Sequence, residues 1–154
     1  MKDYAQAITY AGTDGIISMF SLLLGMLGTS MSSTAILHVL LLAAVASGIS
    51  MAVSDFNSRI NLGWSLRRWI STGLTFLSML VFSIIPIFVF LAFRRHPSPI
   101  IVGLAGVLSL LVLATFHGWV EESYAHVPVQ IVAGTIGMVL AYYVGVWSDR
   151  VLKS

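Results

Sequence analysis

Five stretches of this chain are apolar over the length of a bilayer crossing, and little sequence separates them. A helix needs about 20 apolar residues to span the hydrocarbon core. The stretches at about 13–32, 33–56, 69–93, 99–120 and 127–147 all reach that length. In lipid each backbone N–H and C=O must find its partner inside the protein, so runs of this length predict helices. The expected fold is all-α: a polytopic membrane protein, one transmembrane domain over residues 1–154, built as a bundle of five helices.

Composition narrows what such a bundle can do. Charged residues are 9% of the 154 and hydrophobic residues 58%, with a mean hydropathy of +0.95. A soluble domain carries roughly a quarter charged residues to cover its surface. Five spans use about 100 residues, which leaves no room for a soluble catalytic domain or a nucleotide-binding unit. No nucleophile elbow, phosphate-cradling glycine loop or H-E-x-x-H motif is present, so no enzymatic activity and no permanently bound cofactor are expected. The formal net charge is +2 with the basic residues scattered, which gives nucleic-acid binding no support. The absence of cysteine excludes disulfides and thiolate metal sites. The opening MKDYAQAITYAGTDG lacks the pattern of a cleaved secretory signal, so the first helix is expected to be retained.

Along the chain, residues 1–12 read as a short amphipathic lead-in, with Tyr4 and Tyr10 suited to the membrane interface. Residues 57–66 form a polar connector followed by Arg67 and Arg68, and Arg94, Arg95 and His96 close the third span. Pro86 inside that span predicts a kink or break. Loop charge does not orient the bundle: Lys2, Arg59, Arg67 and Arg68 on one side balance Arg94, Arg95, Arg150 and Lys153 on the other. Ala133, Gly137, Ala141 and Gly145 recur every four residues in the fifth span, and Ala44, Gly48 and Ala52 do so in the second. Such ladders let helix backbones approach closely, within one subunit or across a dimer.

Ionisable groups inside a span are costly and mark candidate sites. Asp14 opens a stripe on the first helix that continues through Ser18, Ser21, Gly25, Gly28 and Ser32 at steps of three and four. Asp14 reads either as an interfacial N-cap or as the start of a lined pathway, and the length of the stripe favours the pathway. In the second span Ser47, Met51 and Asp55 share a face, with Ser50 and Ser54 beside it. Carboxylate oxygen suits Mn²⁺ and Fe²⁺, and a thioether adds preference for softer ions over Mg²⁺ and Ca²⁺. The alternatives are ordinary packing for Met51 and an ion pair with Arg59, four residues on, for Asp55. His117, Glu121, Glu122 and His126 form the one compact group of further potential ligands, read either as a metal-gathering vestibule or as a solvated loop.

TDGIISMFSLLLGM, followed some 30 residues later by SGISMAVSDF, resembles the vacuolar iron transporter family, whose members open the first helix on an Asp-Gly pair and end the second on an S-M-A-x-G-E motif. STGLTFLSMLVFSIIPIF and VAGTIGMVLAYYVG resemble that family's third and fifth helices, so the likeness covers nearly the whole chain. The resemblance implies five transmembrane helices, a homodimer with a cytosolic N-terminus, and export of Fe²⁺ or Mn²⁺ from the cytosol in exchange for protons. It implies an organelle membrane such as the vacuole, or a bacterial inner membrane. Asp14 and Met51 match residues of the family's ion pathway. Asp55 stands in place of its glutamate, and Ser54 in place of its glycine. Where plant-type members insert an acidic cytosolic domain between the second and third helices, this chain has only about ten residues. Metal gathering at the cytosolic mouth would fall to Asp55, Asp3 or the Glu121/Glu122 group.

The expected function is proton-coupled transport of a divalent transition metal. Asp14, Met51 and Asp55 would hold the ion, and Ser18, Ser21, Ser47 and Ser50 would line its path. A carboxylate in a span takes up a proton when no cation is near and releases it when one arrives, so metal and proton displace each other at Asp14. The alternative is a non-transporting membrane scaffold of the same fold; a transporter of some other small solute is a third reading.

Overall fold

A computed structural model of the chain describes residues 2–93 and 97–154. The side chains of Lys2 and Asp3, and Arg94, Arg95 and His96 entirely, lie outside the described residues. Five helices follow in order: α1 (Lys2–Leu27), α2 (Ser33–Ser58), α3 (Leu66–Ala92), α4 (Pro99–Glu121) and α5 (Val127–Lys153), with a 3-10 turn at Ile60–Leu62 between α2 and α3. All five are long and apolar enough to cross a membrane. The chain is an integral membrane protein.

Local chemistry sets most of the boundaries. Ser32 caps α2 by accepting a hydrogen bond from the Ala35 N–H at 3.2 Å, and Ser65 caps α3 through Arg68 N–H. Pro99 opens α4, where its missing N–H has no helical partner to lose. Glu122 ends α4 in the left-handed region, φ 57°. The first and fifth spans and the proline of the third differ from the sequence expectation, α5 running past the expected 147 to Lys153. The amphipathic lead-in is continuous with the first span, and α1 stops at Leu27, because Gly28 starts the turn into α2. The remaining difference is at Pro86, where α3 runs on unbroken. A lost backbone bond inside a membrane bundle is tolerated where neighbouring helices surround it, and here Pro86 is buried against them.

α1 is the axis of the bundle, packing against α2, α3, α4 and α5 in turn. Ile16, Met19, Phe20 and Leu23 on it are almost fully buried, meeting Leu40, Phe90, Leu110 and Met138 of the other helices. Of its spanning window 56% is buried, against 22% for α2 and 17% for α5. Its hydropathy, 1.4, is also the lowest of the five. A helix enclosed by protein need not satisfy lipid, so it can carry the polar and small residues that the outer helices cannot.

α1 and α5 run side by side in the same direction: Ile17 meets Gly134, Ser21 lies near Gly137, Gly25 meets Ala141, and Gly28 meets Tyr142 and Gly145. A Cβ on Gly28 would lie 2.6 Å from the Tyr142 carbonyl, and one on Gly145 would overlap the Gly25 carbonyl. The ladder of the fifth span thus packs within the chain, although Ala133 at its start is exposed. Beyond it, Asp149 accepts from the Ser30 N–H at 3.1 Å and Ser30 O–H at 3.0 Å, and Lys153 pairs with Asp149 at 2.7 Å, which ties α5 to the α1–α2 turn.

Candidate functional site

The polar chemistry collects at the end of the bundle where α1 and α5 begin. There α2 ends, α3 starts, and a cavity of about 240 Å³ opens among Ala7 and Tyr10 of α1, Met51, Ser54, Asp55 and Ser58 of α2, and Thr75 of α3. The larger grooves of the bundle are lined almost wholly by apolar side chains and hold no acid, such as the one beside Leu24, Leu104 and Met138. Met51 and Asp55 reach the small cavity together because four residues are close to one helical turn.

Both oxygens of Asp55 are engaged. Oδ1 accepts from Arg59 Nε at 2.9 Å, and Oδ2 accepts from the Thr72 hydroxyl at 3.3 Å. Only 12% of the Asp55 side chain is exposed. The ion pair with Arg59 expected from the sequence is present, and Asp55 also lines the cavity. The corner behind it is built by Arg68, which is buried. Its guanidinium donates to the Phe56 carbonyl at 2.8 Å and the Gly63 carbonyl at 3.1 Å, and lies 3.6 Å from the centre of the Phe56 ring. It thereby satisfies a carbonyl of the last turn of α2 and holds the short connector against α3.

α3 contributes hydroxyls that the sequence reading passed over. Ser71, Thr75 and Ser78 are buried on one face of α3, and the Ser71 and Thr75 hydroxyls have no partner among the described residues. Their spacing of four and three was a readable signal, obscured because the surrounding sequence is apolar enough to be taken as lipid-facing throughout.

Asp14 does not line this cavity. It shares a face of α1 with Ala7 and Tyr10, which line the cavity on the α2 side, and with Ser21, which lies near Gly137 of α5, so it stands on the strip of α1 between the two. There it is exposed, with no hydrogen bond or ion pair to its carboxylate among the described residues. The four serines expected to line a path are not gathered either. Ser18 returns its hydroxyl to the Asp14 carbonyl at 2.6 Å, Ser21 is half-buried with its hydroxyl oxygen buried and unpartnered beside Gly137, Ser47 is half-buried and Ser50 is exposed. At Gly25 and Gly28 the α1 stripe is a close contact with α5, not a channel wall: small residues there serve backbone approach.

At the same end of the bundle, His117 Nε2 lies 3.1 Å from Glu121 Oε1, and its ring centre is 4.5 Å from that of His126. His117 is buried. Its Nδ1, His126 Nε2 and Gln130 Oε1 are all buried without a hydrogen-bond partner among the described residues. Gln130, absent from the sequence reading, joins the group because it lies one turn after His126 on α5. Glu122 is exposed and turned away by its left-handed backbone. Among the described residues, no three His, Asp or Glu side chains stand close enough together to hold a metal ion by themselves. Any ion here would need thioether, hydroxyl, amide or water ligands, or a second chain.

Comparison of the chain with family models, curated proteins and solved structures found no match.

Proposed function

We propose that the chain moves a divalent transition metal, Fe²⁺ or Mn²⁺, across its membrane in exchange for protons, with Met51 and Asp55 at the mouth of the path and Asp14 within it. The observation that carries this reading is the cavity joining a carboxylate, a thioether and hydroxyls inside an otherwise apolar bundle. That donor set suits Mn²⁺ and Fe²⁺ better than Mg²⁺ or Ca²⁺. The resemblance of its first two helices to vacuolar iron transporters points the same way, and with it come a cytosolic N-terminus and an organelle or bacterial inner membrane.

The proposal includes a homodimer. A carboxylate facing lipid is costly, and a second copy seated over the strip between α2 and α5 would take Asp14 out of lipid and bring a second Asp14 near it. A non-transporting scaffold is the other reading, and the engagement of both Asp55 oxygens favours it.

The test is uptake of Mn²⁺ into proteoliposomes with an imposed pH gradient. Gradient-driven uptake by wild type, reduced at least about tenfold in Asp14→Asn and in Met51→Ala, supports the transporter. A tenfold loss corresponds to about 1.4 kcal/mol. Absence of uptake by folded wild type selects the scaffold, and equal flux by Asp14→Asn removes Asp14 from the mechanism.

A further inference from the structure

We infer that Arg59 is a tethered cation that fills the Asp55 site at rest, so that a divalent ion gains the carboxylate only by displacing it. The inference rests on the transport reading above and adds what regulates its mouth.

The geometry is that of an occupied site. The Arg59 guanidinium sits 2.9 Å from Asp55 Oδ1. Their side chains are 22% and 12% exposed, so the pair lies at the border between cavity and solvent. Arg59 is the residue on which α2 ends, with φ −99° and ψ 27°. Its side chain therefore hangs from the point where the helix gives way to the 3-10 turn, with open space on the solvent side. Arg68, the neighbouring guanidinium, is held by the Phe56 and Gly63 carbonyls and does not compete for Asp55.

Charge makes the two cations mutually exclusive. Among the described residues, Asp55 is the one acid lining the cavity. With Arg59 in place the Asp55 charge is already matched, and adding a dication would bring two further positive charges into apolar surroundings. With Arg59 swung out, the carboxylate meets the ion beside Met51 and the hydroxyls of Ser54 and Thr75. A tethered group competes at an effective concentration in the millimolar range, so Arg59 sets a threshold. A weakly held monovalent ion fails to displace it, whereas a dication that also gains the thioether succeeds.

The test is a Mn²⁺ titration of the purified full chain in detergent, with free Mn²⁺ read by electron paramagnetic resonance, for wild type, Arg59→Gln, Arg59→Lys and Arg59→Gln combined with Asp55→Asn. Arg59→Gln is expected to bind about tenfold more tightly, Arg59→Lys to fall between because a point charge replaces the planar fork, and the double variant to lose the gain. A merely structural Arg59 would instead move the thermal unfolding temperature and leave affinity unchanged. Equal or weaker binding by both Arg59 variants overturns the inference, as does a gain that survives Asp55→Asn. A gain in Arg59→Gln without liposome uptake by wild type keeps the displaced guanidinium and overturns transport. Uptake by wild type with unchanged KM in Arg59→Gln overturns the displacement alone.

Discussion

The two ends of α1 meet their neighbours in opposite ways. Toward its C-terminus, Gly25 and Gly28 lie against Ala141, Tyr142 and Gly145 with backbones in direct contact and no room for a side chain. Toward its N-terminus, Ala7 and Tyr10 stand off from α2 and α3 around a polar cavity holding Asp55 and Thr75. Small residues do different work at the two ends. At one they remove volume so that helices close, and at the other the helices diverge and polar side chains occupy the gap. One end is closed backbone against backbone. The other has the loose, partly satisfied polar groups of a place where something else binds.

The contrast is sharpest where it can be broken. Gly145→Leu should have the largest effect: its side chain must enter the space of the Gly25 carbonyl. Overpacking commonly costs about 1–3 kcal/mol, and rigid backbone as the obstacle places this variant at the upper end or above. Thermal unfolding in detergent would show it, and a wild-type melting profile would mean that α1 and α5 are not in close contact. Arg68→Met comes next, at about 2 kcal/mol, because it leaves the Phe56 and Gly63 carbonyls without their charged donor. The same measurement checks it, and accelerated proteolysis between α2 and α3 should accompany the loss.

Thr75→Val should barely change stability, within about 0.5 kcal/mol, since its hydroxyl has no partner to lose. Its effect belongs on function instead: Mn²⁺ uptake should fall severalfold if the cavity carries the ion. A variant neutral in both respects would reduce Thr75 to packing and leave the cavity with Met51 and Asp55 alone.

Much of the fold could be read locally, and the site only in part. Met51, Asp55 and Arg59 were legible as one group because all three lie on one helix at four-residue spacing. Thr72, Thr75 and Tyr10 were not, because they come from two other helices and nothing in a linear pattern says which face of α3 meets α2. The α1 stripe was legible as a stripe but not in its meaning. Serine and glycine at helical spacing look the same whether they line a path or let a neighbour approach, and only the position of α5 shows that Gly25 and Gly28 do the second. Gln130 was hidden because a polar side chain one turn into an apolar helix does not show by itself that its amide oxygen is buried.

By itself the sequence determined five membrane-crossing helices, because length and apolarity act residue by residue against lipid, and backbone groups there have no partners but their own helix. It also favoured the short turns between them, through the helix-capping residues Ser32 and Ser65 and through Pro99. Tertiary structure alone decided that α1, the least hydrophobic span, is the enclosed one. It likewise decided that Asp14 and Asp55, the acids of the first two membrane-crossing helices, belong to different surroundings. The physical reason is that lipid tests each helix separately for hydrophobicity, whereas helix–helix packing is decided by the fit of two surfaces, which neither strand of sequence contains alone.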